Sequence, residues 1–163
     1  MFPDDIQTLA RDVVRLAVAK GLVITTAESC TGGLVAGALT AVPGSSAVVD
    51  RGFVTYSNAA KVGMLGVPAD LIASQGAVSE AVARAMALGA IAHSDATVSV
   101  SVTGIAGPGG GSANKPVGLV HFAADGPGGV VHAEHRFGDR GREAVRLVSV
   151  RVALQMLLDR IGV

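Results

Sequence analysis

The chain has 163 residues, with thirteen Lys and Arg balanced by thirteen Asp and Glu and half of the residues apolar, which fits one domain large enough to bury a core. Zero net charge and 3% aromatic residues without any Trp argue against a polyanion-binding surface and a base-stacking platform. Mean hydropathy is +0.52, yet charges or Pro interrupt every apolar run before the roughly 18 to 20 residues that a membrane span needs.

The opening Met1-Phe2-Pro3-Asp4-Asp5 is acidic where a signal peptide is basic, and the single Cys30 cannot form an internal disulfide. The expectation is a cytoplasmic protein with neither membrane nor nucleic-acid partner. Ile6, Leu9, Val13, Leu16 and Ala17 recur at helical spacing and predict a helix over Asp4 to Lys20, capped by Asp4 or Asp5 and closed by Gly21. Leu22 to Ala27 is a β-branched strand, followed by the turn Glu28-Ser29-Cys30-Thr31-Gly32-Gly33 and a small-residue helix from Leu34 to Val42. Val48 to Tyr56 suits a second strand, Asn58 to Leu65 a short helix, and Glu80 to His93 a longer one with Ser79 as its cap. Ala96 to Thr103 alternates as a strand, Gly104 to Pro116 is too rich in Gly and Pro for regular structure, and Val117 to Ala124 with Val130 to Phe137 forms a hairpin. Arg142 to Ile161 closes the chain as a helix. Strands alternating with helices, plus one hairpin, predict a single-domain α/β fold, a three-layer α/β/α sandwich with a mixed sheet.

Ligands in such folds bind at loops after strand ends, which draws attention to residues 28–33 and 104–116. Gly107-Pro108-Gly109-Gly110-Gly111-Ser112 lacks the last Gly of a dinucleotide fingerprint, and Lys115 between Asn114 and Pro116 is no phosphate-loop Lys. The four His are scattered, and His132 and His135 would point to opposite faces of one strand, so no metal site is expected. Ser29 stands at a strand end, where helix-start N–H groups could stabilise an oxyanion; equally, Ser29 or Thr31 could cap that helix. Cys30 is a rival nucleophile in the same turn, or a small packed residue with no His to activate it. Tyr56 and Lys61 read as a strand-end aromatic and a surface Lys if taken alone. The 104–116 loop is either a connector or a Gly-rich phosphate cradle.

Taken together, Ala27-Glu28-Ser29-Cys30-Thr31-Gly32-Gly33, Val54-Thr55-Tyr56-Ser57-Asn58 with Lys61, Gly76-Ala77-Val78-Ser79-Glu80, Ser101 to Gly110 and Lys115-Pro116-Val117-Gly118 resemble, in order and spacing, the CinA C-terminal domain family. The resemblance covers nearly the whole chain. It implies nicotinamide-nucleotide amidase activity: hydrolysis of the carboxamide of nicotinamide mononucleotide to nicotinate mononucleotide and ammonia, in pyridine-nucleotide salvage. By position, Ser29 is similar to the family's nucleophile, Lys61 to its base and Tyr56 to a residue held beside them. Thr31, Gly32, Gly33, Thr103, Gly104, Gly107, Gly109 and Gly110 resemble its substrate-binding wall, and Arg140, in Gly138-Asp139-Arg140, the partner of the substrate phosphate. A Ser–Lys pair needs neither metal nor organic cofactor, and a homo-oligomer, dimer or larger, is the expected assembly. Family members often carry Glu where this chain has Ala59. That departure supports an alternative, a catalytically silent nucleotide-binding or regulatory module of the same fold.

Overall fold

In the computed structural model, which describes residues 1–163, the apolar stripe of Asp4–Lys20 forms helix α1, ended by Gly21 in the left-handed conformation. Its N-cap is Pro3, which makes no side-chain cap bond. Asp4 and Asp5 lie instead in the first helical turn, where a carboxylate meets the positive end of the helix dipole. Strand β1 (Ile24–Glu28) leads through the Ser29–Gly33 turn into α2 (Leu34–Thr40). A short 3-10 turn at Ser45–Ala47 precedes strand β2 (Val49–Val54), and helices α3 (Asn58–Leu65), α4 (Ala69–Gln75) and α5 (Glu80–Ala92) follow. The sequence reading had no helix at α4, whose seven residues are too few for a periodic signal to emerge. Ser79 caps α5 as predicted, its hydroxyl accepting the Val82 N–H at 3.3 Å. Strands β3 (Val98–Gly104), β4 (Leu119–Asp125) and β5 (Val131–Arg136) precede the 21-residue helix α6 (Arg142–Gly162).

The five strands run in the order β2-β1-β3-β4-β5. β2, β1 and β3 are parallel, whereas β4 and β5 form the predicted antiparallel hairpin beside β3. Side chains alternate across the sheet: Ile24, Val98, Val100, Val102, Val120, Phe122 and Ala124 join the core under α1, α2 and α6, and Ala27 joins a smaller one under α3, α4 and α5. This is the expected three-layer α/β/α arrangement. Chain direction places α2 between β1 and β2, and α3 to α5 between β2 and β3. The strand order therefore reverses at β1, and the carboxyl ends of β1 and β3 form the topological switch point where such sheets hold ligands. Gly52 of β2 lets α2 lie close, since a Cβ there would stand 2.8 Å from Thr26 Oγ1 and 3.0 Å from Ala36 Cβ.

Candidate active site

Ser29 is the first residue past β1, and its N–H extends the ladder by donating to the Val102 carbonyl at 2.9 Å. Across β1 the Thr55 N–H donates to the Glu28 carbonyl, so the chain turns into α3 level with Ser29. One turn into α3, capped by the Ser57 hydroxyl, Lys61 points inward and is 1% exposed. Its Nζ stands 3.0 Å from Ser29 Oγ, 2.7 Å from the Thr55 carbonyl and 3.5 Å from that of Tyr56. No ion pair includes Lys61. Burial lowers its pKa below the ordinary Lys value, with the Cys30 thiol acting in the opposite direction. A neutral amine has two N–H donors and one lone pair, so the two carbonyls can take the donors while the lone pair accepts the Ser29 hydroxyl proton.

A carboxylate, and not a hydroxyl, caps α2. Glu28 is fully buried and accepts the Val35 N–H at 2.9 Å and the Ala36 N–H at 3.0 Å. Neither Ser29 nor Thr31 caps the helix, and Gly33 at the cap position makes no side-chain bond. The Cys30 thiol is pushed up to about 12, first by burial and further by the Glu28 carboxylate, so Cys30 is a packed thiol. The backbone N–H groups of Cys30, Thr31 and Gly33 have no partner within the chain.

Ser29, Tyr56, Lys61, Thr103 and Gly104 line one cleft of about 200 Å³, together with Cys30, Asn58, Ala77, Val78, Ala106 and Arg142. Thr103 is fixed through its hydroxyl, which donates to the Ala77 carbonyl at 2.9 Å. Thr31, Gly32 and Gly33 form the turn behind the cleft, and Gly107 is one step away, its carbonyl accepting Arg142 Nη1 at 2.9 Å. Three expected residues stand elsewhere. Gly109 and Gly110 are exposed tips of the loop, and Arg140 lines not the cleft but a neighbouring surface depression, with Glu143 and Leu147, that shares only Arg142 with it. Arg142, two residues on, is the guanidinium at the cleft, because the first turn of α6 aims it inward. The Tyr56 side chain is 61% exposed and its hydroxyl accepts Arg142 Nη2 at 3.0 Å, so only its carbonyl faces Lys61. Ala59 is exposed on α3; a Glu there would stand in solvent, and nothing favours the silent-module alternative.

Behind the Thr103 wall, His121 pairs across the ladder with Thr103. His121 Nδ1 lies 2.9 Å from His132 Nε2, whereas His135 stacks on Phe137 on the other face. The sequence had left all four His apart. No three His, Cys, Asp or Glu side chains converge as a metal site requires, and no helix is long and apolar enough to cross a membrane.

An α/β sandwich with a buried Ser–Lys pair at its switch point is therefore the class to which this molecule belongs by fold and site. The sequence profile of the CinA C-terminal domain matches residues 6–161, and the chain belongs to that family. It is 56% identical over 142 residues to the nicotinamide-nucleotide amidohydrolase PncC of Enterobacter agglomerans, a match covering 86% of this chain and 85% of that protein. A CinA-like protein of Parasynechococcus marenigrum is 51% identical over 94% of this chain, but that stretch is 37% of the relative. The chain spans about a third of the length of several such curated relatives. Among solved structures, the competence/damage inducible protein CihA of Agrobacterium tumefaciens superposes with a TM-score of 0.97 at 56% identity, covering 100% of this chain and 99% of that one. A CinA superfamily protein of Escherichia coli gives 0.91 at 40% identity, over 97% and 92% of the two chains.

Proposed function

We propose that the protein is a nicotinamide-nucleotide amidohydrolase that converts nicotinamide mononucleotide and water to nicotinate mononucleotide and ammonia through an acyl-Ser29 intermediate. The observation that carries this reading is the Lys61 amine, buried, without a carboxylate partner and 3.0 Å from Ser29 Oγ. The name and high coverage of the Enterobacter relative support the substrate.

Lys61 takes the Ser29 hydroxyl proton as the oxygen attacks the carboxamide carbon, while the Thr55 and Tyr56 carbonyls hold the amine in place. The oxygen of the tetrahedral intermediate needs donors already in position. Val35 and Ala36 N–H are committed to Glu28; of the three free N–H groups in the turn, those of Cys30, which lines the cleft, and of the adjoining Thr31 stand next to the nucleophile and take that task. Protonated Lys61 then returns its proton to the departing nitrogen, ammonia leaves, and water hydrolyses the ester by the same route. Arg142, already bonded to Tyr56 and Gly107, retains N–H donors at the mouth for the substrate phosphate; it takes the role expected of Arg140. Thr103, Gly104 and the loop after them form the facing wall.

The same proposal places the enzyme in the cytoplasm, in nucleotide salvage, as a homo-oligomer. Exposed Val54, Tyr56, Val62 and Met64, on the β2 edge and α3 beside the cleft, support self-association, which light scattering on the purified protein checks. The activity itself is tested by ammonia release from nicotinamide mononucleotide beside nicotinamide riboside and nicotinamide. Turnover of the mononucleotide with a mass increment on Ser29 in quenched samples is expected, and absence of turnover overturns the reading.

A further inference from the structure

The turn after Ser29 is held by a residue far away in the sequence. Arg146, on the first turns of α6, donates from Nε to the Cys30 carbonyl at 3.1 Å and from Nη2 to the Thr31 carbonyl at 3.2 Å. It does so from behind, lining a depression with Met1, Phe2, Leu34, Glu143 and Leu147, whereas Cys30 lines the cleft. The only cis peptide is Gly107–Pro108, so the Cys30–Thr31 peptide is trans. In a trans peptide the carbonyl and the following N–H point in opposite directions. With the Cys30 carbonyl drawn back to Arg146, the Thr31 N–H points the opposite way, away from the guanidinium. The neighbouring plane is fixed in the same manner, because the Ser29 carbonyl accepts the Gly32 N–H at 3.0 Å and thereby orients the Cys30 N–H. Both N–H groups lack a partner within the chain.

We propose that Arg146 is a positioning residue that sets the oxyanion site: by clamping the Cys30 and Thr31 carbonyls it presents the Thr31 N–H to the carboxamide oxygen, without touching substrate. The inference rests on the reading of Ser29 as nucleophile. A flipped peptide would aim a carbonyl at the developing oxyanion, so the clamp acts on the transition state and leaves ground-state binding alone. Gly32 shows how closely the guanidinium fits, for a Cβ there would lie 3.3 Å from Arg146 Nη2, at a φ of +57°.

The test is steady-state kinetics across pH, with nicotinamide mononucleotide as substrate, on Arg146→Lys and Gly32→Ala beside Ser29→Ala. Lys keeps the charge but lacks the planar fork that spans the two carbonyls from Nε and Nη2, and a Cβ at position 32 would press on the guanidinium from 3.3 Å while leaving its charge in place. Each folded variant is expected to lose about 10²-fold in kcat, with KM nearly unchanged and the acid limb of the pH profile unmoved. A merely structural Arg146 would leave kcat per folded molecule intact. Near-normal kcat, a loss expressed in KM, or a displaced acid limb overturns the proposal. If Arg146→Lys does not fold, Gly32→Ala decides on the same criteria. Wild-type turnover by Ser29→Ala overturns instead the nucleophile reading beneath the proposal.

Discussion

Residues 28–33 on one side of the cleft are held by the Glu28 carboxylate, the Arg146 guanidinium and the Ser29–Val102 ladder bond. On the other side, residues 108–114 stand exposed, and the loop is tied mainly through Lys115, whose Nζ donates to the Gln75 carbonyl at 2.6 Å, and through Gly107 with Arg142. One wall is fixed by a buried carboxylate and a half-buried guanidinium, the other by a few bonds at its ends. Placing a nucleophile and N–H donors tolerates errors of only about 0.5 Å, whereas a wall that admits substrate needs room to move. On the proposed function, the difference matches chemistry to the first wall and substrate choice to the second.

The strongest way to break that assignment is at the nucleophile pair. Ser29→Ala is expected to lose about 10³-fold or more in kcat, while Cys30→Ala keeps most of it; the reverse ranking in an ammonia-release assay would move the chemistry to the thiol. Lys61→Arg should be about as damaging as Ser29→Ala, because Arg cannot deprotonate at working pH. In the wild type the sign follows from the same role. In the proposed role the amine works neutral, so kcat/KM is expected to fall as pH drops through the lowered Lys61 pKa, and a fall on the alkaline side instead would make Lys61 a charge clamp.

Stability offers the next contrast. Glu28→Ala leaves two helix-start N–H groups without their acceptor, at a cost of about 1–3 kcal/mol each. With about 2–4 °C per kcal/mol in a chain of this size, Tm in thermal unfolding should drop by roughly 5–20 °C. Gly109→Ala, with open space around its Cβ, should leave Tm nearly unchanged. Equal sensitivity of the two positions would dissolve the distinction between the walls. A smaller effect is expected at the mouth, where Arg142→Ala should raise KM for the mononucleotide about tenfold, equivalent to about 1.4 kcal/mol, and Arg140→Ala should not. If Arg140→Ala is the more damaging, the two guanidinium roles must be exchanged.

The smallest effect concerns the pair behind Thr103. Burial first, and for His121 the neighbouring ring, hold His121 and His132 below the usual His value, against the pull of Glu80 and Glu134. The unfolded chain therefore takes up protons at higher pH than the folded one. The contribution is complete above about pH 6.5 and is lost as pH falls, so Tm should decline from pH 7.5 to 5.5. His121→Gln should flatten that decline, and an unchanged slope would show that other groups set it.

The local elements were largely legible in the sequence, because α1 carries its apolar periodicity and its closing Gly21, and α5 its Ser79 cap, in consecutive residues. Strand ends were overrun: Tyr56 looked like strand but leaves the sheet two residues after Val54, where the chain turns into α3. Ser29 and Lys61 were legible through family resemblance, although Lys61 taken alone read as a surface residue. The cap at α2 was misread, since Glu28 lies seven and eight positions before the N–H groups it serves, beyond any local capping pattern. Arg142 and Arg146 were out of reach for a related reason. Their partners are Tyr56, Gly107, Cys30 and Thr31, between 35 and 116 residues away, and only the docking of α6 against the carboxyl ends of β1 and β3 brings them together.

The carboxylate that caps α2 also bears on oxidative chemistry. A helix start beside a cysteine ordinarily favours the thiolate, the form that peroxide and alkylating agents attack. Here burial first, and then the Glu28 carboxylate that occupies that helix start, push the Cys30 thiol up and keep it protonated. The lone thiol of this protein therefore presents little thiolate at neutral pH for peroxide to attack, and on the proposed function the turn that carries the nucleophile holds no readily oxidised sulfur.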